Sequence, residues 1–177
     1  MFGRWLFKIS GWKELNPFPE HKKMVVIIAP HTSMFDFVIG KLYYLSIKRK
    51  SKFIIKKELF YFPLGIILRL LGSIPVDRKK GGGIVRQVIR KFDESDQLIV
   101  NITPEGTRKK VKNWKRGFYD IVKGSHVPLA VGCIDYGKKQ IGIIKMFEIT
   151  GDYNKDIHEI KTLYKDVRAR YPQNFEI

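Results

Sequence analysis

Apolar positions along the chain switch period in alternation. Residues 24–29 are a continuous apolar run rich in β-branched side chains, the pattern of a strand buried on both faces. Residues 32–46 instead repeat Phe35, Ile39, Leu42 and Tyr43 at spacings of three and four, which predicts a helix. Short strands are predicted over 52–55 and 73–76. Between them lies a strongly apolar stretch, 59–71, broken by Pro63 and carrying Arg69. Glycines 81–83 make a flexible turn ahead of an amphipathic helix over 84–92, with Val85, Val88 and Ile89 on one face. A buried strand follows over 97–102, then a helix over 114–123 closed by Gly124. Strands over 127–134 and 140–147 are joined by a hairpin turn near Tyr136, Gly137 and Lys138, and a closing helix runs over 153–170. At the start, Phe2, Trp5, Leu6 and Ile9 share one helical face, and Pro17 and Pro19 end any helix there.

Strands that alternate with helices predict a single-domain α/β fold whose mixed, mostly parallel sheet is flanked by helices. There is no internal repeat, low-complexity segment or linker, so residues 1–177 read as one domain, with 1–20 as an N-terminal amphipathic segment that docks on a membrane or, equally, as a short helix against the core. In such a sheet, ligands gather where loops leave the carboxyl ends of strands. That rule selects the loops after Ala29, Val76 and Ile102.

Composition narrows the partners. The chain has 34 Lys and Arg against 17 Asp and Glu, a formal charge of +17, with 44% hydrophobic residues. It is apolar enough to bury a core, so it is not a disordered basic tail. Its single cysteine, Cys133, excludes an internal disulfide and a multi-cysteine zinc site. The charge calls for nucleic acid, an anionic membrane face or a phosphorylated substrate. The aromatic patterns, helix-turn-helix signature and zinc spacings of nucleic-acid modules are missing, so no nucleic acid is expected. No apolar stretch reaches the ~20 residues that span a bilayer, and the N-terminal residues lack a secretory signal pattern.

The three loops carry the chemistry. In the first, His31 follows a buried strand and Asp36 stands five residues on. With His31 in the loop and Asp36 in the first helical turn, the carboxylate can reach an imidazole nitrogen, fix the tautomer and make the other nitrogen a better base. Alone, the pair also fits a capping histidine beside a helix-start aspartate. The third loop, Pro104-Glu105-Gly106-Thr107-Arg108, offers an acid, a flexible backbone position and a guanidinium fork suited to phosphate. It also fits an ordinary turn with a surface ion pair. The second loop places Asp77 and Arg78 after a strand end, a second anion contact or a solvated charge cluster.

Taken together and in this order, His31-Thr32-Ser33-Met34-Phe35-Asp36, the block 72–78 and Pro104-Glu105-Gly106-Thr107-Arg108 resemble the His-x4-Asp, second and third blocks of the PlsC-like glycerolipid acyltransferases. Residues 127–131 resemble the fourth. Thr103 stands where that family usually has Phe, Pro30 where Asn is common, and Gly132 where a second proline often falls. The resemblance implies transfer of a fatty acyl group from acyl-CoA or acyl-ACP to a hydroxyl of a lysophospholipid, above all 1-acyl-glycerol-3-phosphate, in phospholipid biosynthesis. His31 and Asp36 would be the catalytic base and its partner. Arg78, Glu105, Gly106, Thr107 and Arg108 would bind substrate. No bound cofactor or metal is implied. The stretch 59–71 would line an acyl groove or dip into lipid. The excess charge would hold the chain peripherally to an anionic surface, the cytoplasmic inner face of the membrane. Competing readings are an acceptor such as glycerol phosphate or another lyso-lipid, or a basic protein that binds lipid or nucleic acid without catalysis.

Overall fold

The computed structural model describes residues 2–77 and 83–177. In chain order its elements are α1 (Phe2–Ile9), β1 (Lys13–Glu14), β2 (Lys23–Ala29), α2 (Phe35–Ser46), β3 (Lys52–Lys56), α3 (Leu64–Leu70), β4 (Ser73–Val76), α4 (Gly83–Asp93), β5 (Leu98–Ile102), α5 (Gly117–Ser125), β6 (Leu129–Asp135), β7 (Gln140–Phe147) and α6 (Tyr153–Thr162). The seven strands form one sheet in the order β1-β7-β6-β2-β5-β3-β4. Strands β2 to β6 are mutually parallel, β7 runs antiparallel to β6, and β1 lies parallel to β7. The α/β architecture with a mostly parallel sheet is therefore the one the apolar pattern predicts.

The continuous apolar run of β2 is explained by its place. It is the central strand, paired with β5 on one side and β6 on the other. Alternate side chains feed two layers. Val25, Ile27 and Ala29 join Phe92, Phe118, Ile121 and Ile160 in the core under α4, α5 and α6. Met24 and Val26 join Tyr44 of α2 in the opposite layer. Phe7 of α1 and Tyr43 of α2 continue that second layer, with their rings 5.9 Å apart. Lys41 of α2 donates to the Leu71 carbonyl, which ties the end of α3 to the same side. Among the described residues no helix is long and apolar enough to cross a membrane.

Several boundaries differ from the apolar pattern, among them that of α5, which starts at Gly117 and not at residue 114. Helix α2 begins at Phe35, not at residue 32, because the Asp36 carboxylate collects the N–H groups of Thr32 and Ser33 and holds them in a turn. Gly124 lies inside α5; the left-handed residue that closes the helix is His126, at φ 51°. Helix α6 stops at Thr162 although apolar spacing continues through Tyr164 and Val167. Past that point the backbone tightens to bonds three residues apart, such as Tyr164 N–H to the Lys161 carbonyl and Val167 N–H to the Tyr164 carbonyl. In the stretch 59–71 only Leu64–Leu70 is α-helical. The short edge strand β1, two exposed polar residues, carries no apolar signal at all.

Candidate active site

The loops after β2, β4 and β5 leave the carboxyl ends of parallel strands and therefore open on one edge of the sheet. Strand β6 ends on the same edge, because it runs parallel to β2. Three adjacent strand ends thus bring together His31 and Asp36, Glu105, and Tyr136.

The His31 and Asp36 side chains meet at 3.1 Å, Nδ1 to Oδ2. The carboxylate is 4% exposed and the imidazole 22%, so the acid is sealed and the ring reaches solvent. Thr32 N–H and Ser33 N–H each donate to Oδ2 at 2.9 Å, and the Tyr136 hydroxyl donates to Oδ1 at 2.8 Å. Burial opposes ionisation of Asp36, yet the hydrogen bonds from His31, Ser33 N–H and Tyr136 together hold its carboxyl below the ordinary value. An ionised Asp36 accepts Nδ1–H, which leaves Nε2 as the unprotonated nitrogen of a neutral imidazole.

Glu105 approaches from the β5 loop. Its Oε1 accepts the His31 backbone N–H at 2.9 Å across 74 residues of sequence. The side chain is buried and Oε2 has no hydrogen-bond partner among the described residues. Burial pushes this carboxyl up to about 7. The same loop presents Gly106 at φ 64°, a conformation that suits glycine. Thr107 Oγ1 accepts Lys109 N–H at 3.3 Å. Arg108 is exposed and makes no hydrogen bond or ion pair with another described residue. Arg78 lies outside the described residues. Asp77 sits at the end of β4, with Lys57 Nζ 3.8 Å from its carboxylate.

Cys133 is buried in β6, where burial pushes its thiol up to about 12, so it offers no thiolate near neutral pH. Among the described residues no three His, Cys, Asp or Glu side chains gather as a metal site. The surface beside the site is apolar. Met34, Phe35 and Val38 of the α2 start are exposed next to His31. Leu45 of α2, Phe2, Trp5 and Ile9 of α1, and Ile66, Ile67 and Leu70 of α3 extend apolar exposure on that side of the sheet.

Two residues beside the dyad escape the sequence pattern. Tyr136 reads locally as a hairpin turn residue, and Arg170, whose guanidinium lies 4.0 Å from the Phe35 ring centroid, as part of a helix. Only the placement of β6 beside β2 could have marked the first, by the rule that sites form at strand carboxyl ends.

A family model described as acyltransferase matches residues 10–134, more than half of the chain. The chain belongs to the acyltransferase family. Among solved structures, it is similar to the 1-acyl-sn-glycerophosphate (LPA) acyltransferase PlsC from Thermotoga maritima. The TM-score is 0.59 at 20% identity, over 95% of this chain and 79% of that one. That likeness extends the shared fold past residue 134, to nearly the whole chain. No curated protein sequence matches the chain.

Proposed function

We propose that the chain transfers a fatty acyl group from an acyl thioester, acyl-CoA or acyl-ACP, to a hydroxyl of a lysophospholipid, with 1-acyl-glycerol-3-phosphate as acceptor, in phospholipid biosynthesis. The observation that carries this reading is the 3.1 Å contact from His31 Nδ1 to the sealed, ionised Asp36 carboxylate, in a chain of the acyltransferase family. His31 Nε2 takes the proton of the acceptor hydroxyl while the hydroxyl oxygen attacks the thioester carbonyl carbon. The tetrahedral intermediate collapses as the carbon–sulfur bond breaks. The His31 proton passes to the leaving sulfur, giving an ester and a free thiol. Asp36 keeps the imidazole in its working tautomer and stabilises the imidazolium.

Glu105 braces the loop by holding the His31 backbone N–H, so its part in acceptor binding is to fix the base rather than to face the ligand. Arg108, exposed and unpaired among the described residues, takes the acceptor's phosphate and places the hydroxyl against His31. Arg78, outside the described residues, is the second phosphate contact. Gly106 and Thr107 shape the turn that presents Arg108. The acyl chain lies along the apolar surface of Met34, Phe35, Val38 and α3. That surface and the basic excess dock the protein peripherally on the anionic cytoplasmic face of the membrane.

The test is acyl transfer to lysophosphatidate, glycerol phosphate and other lyso-lipids, with acyl-CoA and acyl-ACP each as donor. His31→Ala is expected to lower kcat by about 10²–10⁴-fold, the usual span of a general base. Undiminished turnover sinks the assignment. Arg108→Ala is expected to raise the acceptor KM with little change in kcat. An unchanged KM rejects phosphate binding there.

A further inference from the structure

Asp36 receives four donors, and one of them comes from beyond the part of the chain that the family model matches. His31, Thr32 and Ser33 converge on Oδ2. The Tyr136 hydroxyl alone takes Oδ1, at 2.8 Å. Tyr136 is in turn held by the segment 168–171, which folds back after α6. Its backbone N–H donates to the Arg168 carbonyl at 2.9 Å. The Arg170 guanidinium lies 4.0 Å from the Phe35 ring centroid and 5.9 Å from that of Tyr136, and it interacts with the Tyr136 hydroxyl. Tyr171 N–H donates to Thr32 Oγ1 at 3.2 Å. One four-residue segment therefore touches Thr32, Phe35 and Tyr136, all within the shell of the dyad. The Tyr136 ring is fixed on another side by Trp12, edge-on at 5.0 Å.

We propose that Tyr136 is a positioning residue for the His31–Asp36 dyad, and that residues 168–171 are the strap that holds it in place. The inference rests on His31 and Asp36 acting as base and partner. A donor on Oδ1 stops rotation of the carboxylate about its Cβ–Cγ bond and keeps Oδ2 facing His31 Nδ1. It also takes up part of the carboxylate charge. Without it, the carboxylate is less firmly held and more of its charge falls on the imidazole. The other charged or titratable groups facing the dyad are Glu105 behind the His31 backbone and Arg170 beside Tyr136. Tyr164 stands behind Glu105 and Cys133, with its hydroxyl committed to the Gly132 carbonyl at 3.0 Å.

The test compares the full chain with its Tyr136→Phe, Arg170→Ala and His31→Ala variants in the acyl-transfer assay, across pH. Tyr136→Phe keeps the ring against Trp12. It is expected to lower kcat about tenfold, as for loss of one hydrogen bond to a charged group, with acceptor KM unchanged. The acidic limb of the pH profile is expected to move up by about half to one pH unit. Arg170→Ala is expected to move both readouts the same way by about a third as much, since it acts through Tyr136. A parental kcat with an unmoved limb in Tyr136→Phe overturns the inference. If Tyr136→Phe does not fold, Arg170→Ala, at a partly exposed position, carries the same test, and an unmoved limb there overturns it. Should His31→Ala turn over like the parent, the dyad reading fails and takes this one with it. A dead His31→Ala beside an unaltered Tyr136→Phe leaves the dyad standing and removes the strap alone.

Discussion

At the scale of single residues, Glu105 is the site's buried and only half-satisfied carboxyl. Its Oε1 is satisfied by His31 N–H while its buried Oε2 has no partner among the described residues, and its carboxyl is pushed from 4.5 up to about 7 by burial. A carboxyl whose value is raised on folding favours the folded state below its unfolded value. That contribution is lost as pH climbs through the folded one. Between about pH 4.5 and 7 the unfolded chain releases this proton and the folded chain keeps it, so stability falls across that window. The full loss is about 3 kcal/mol for a shift of this size. Glu105→Gln keeps the acceptor for His31 N–H and removes the titration. Denaturant unfolding at pH 4 and pH 8 is therefore expected to show the variant gaining on the parent by about 3 kcal/mol at the higher pH. Parallel stability curves would remove the burial argument. Glu105 was legible in the sequence because it falls in a local motif. Its part in bracing His31 was not, since the bond spans 74 positions. Tyr136 and Arg170 were illegible for the same reason. Each acts on Asp36 or its neighbours through strand order and a chain reversal, and neither leaves a local pattern.

Among elements, the strands were the most readable. The limits of β4 and β7 match the predicted ranges 73–76 and 140–147, because their apolar positions begin and end with the strands. Helix ends were less readable, because they are set by capping groups and not by the apolar stripe. Asp36 delays α2, and bonds three residues apart end α6 early. The docking of α1 on α2 is a close-approach contact that the stripe of Phe2, Trp5, Leu6 and Ile9 does not reveal. Gly3 faces Leu45 so tightly that a Cβ there would sit 2.7 Å from the Leu45 carbonyl oxygen. Gly3→Ala gains about 1 kcal/mol in helix propensity, yet overpacking against a backbone costs about 1–3 kcal/mol, so α1 should loosen. The expected result is cleavage after Lys8 by a lysine-specific protease about fivefold faster than in the parent, with the global melting temperature nearly constant. Equal cleavage rates would mean that Leu45 yields and α1 stays seated.

For the whole molecule, the membrane docking proposed above draws on the charge of +17 and the apolar surface together. Phe62 and Leu70 are 83% and 82% exposed, and Trp5 is 58% exposed, far more than an isolated chain in water would favour for such side chains. Trp5 lies on α1 and Leu70 on α3, with Phe62 in the turn before α3; α1 and α3 are packed against, or tied to, the side of the sheet that carries α2, and α2 begins at the His31 loop. An acceptor that resides in a bilayer would then reach the base without leaving the lipid surface. Insertion of one Phe or Trp side chain is worth about 2 kcal/mol, and each Lys or Arg near an anionic surface adds about 1 kcal/mol. The two contributions separate by salt, because exposed charges farther than about 10 Å apart are screened at 0.1 M while apolar insertion is not. Flotation with vesicles of mixed anionic and neutral phospholipid should show binding that weakens as salt rises. Phe62→Ala and Trp5→Ala should each lower the partition coefficient about tenfold or more at every salt concentration. Replacing Arg4 and Lys8 by Gln should leave high-salt binding intact and lower only the low-salt binding. Binding to purely neutral vesicles that matches binding to anionic ones would dismiss the role of the charge. Alanine variants that bind like the parent would place the lipid contact elsewhere on the surface, and the apolar face beside His31 would then be open to the acyl donor alone.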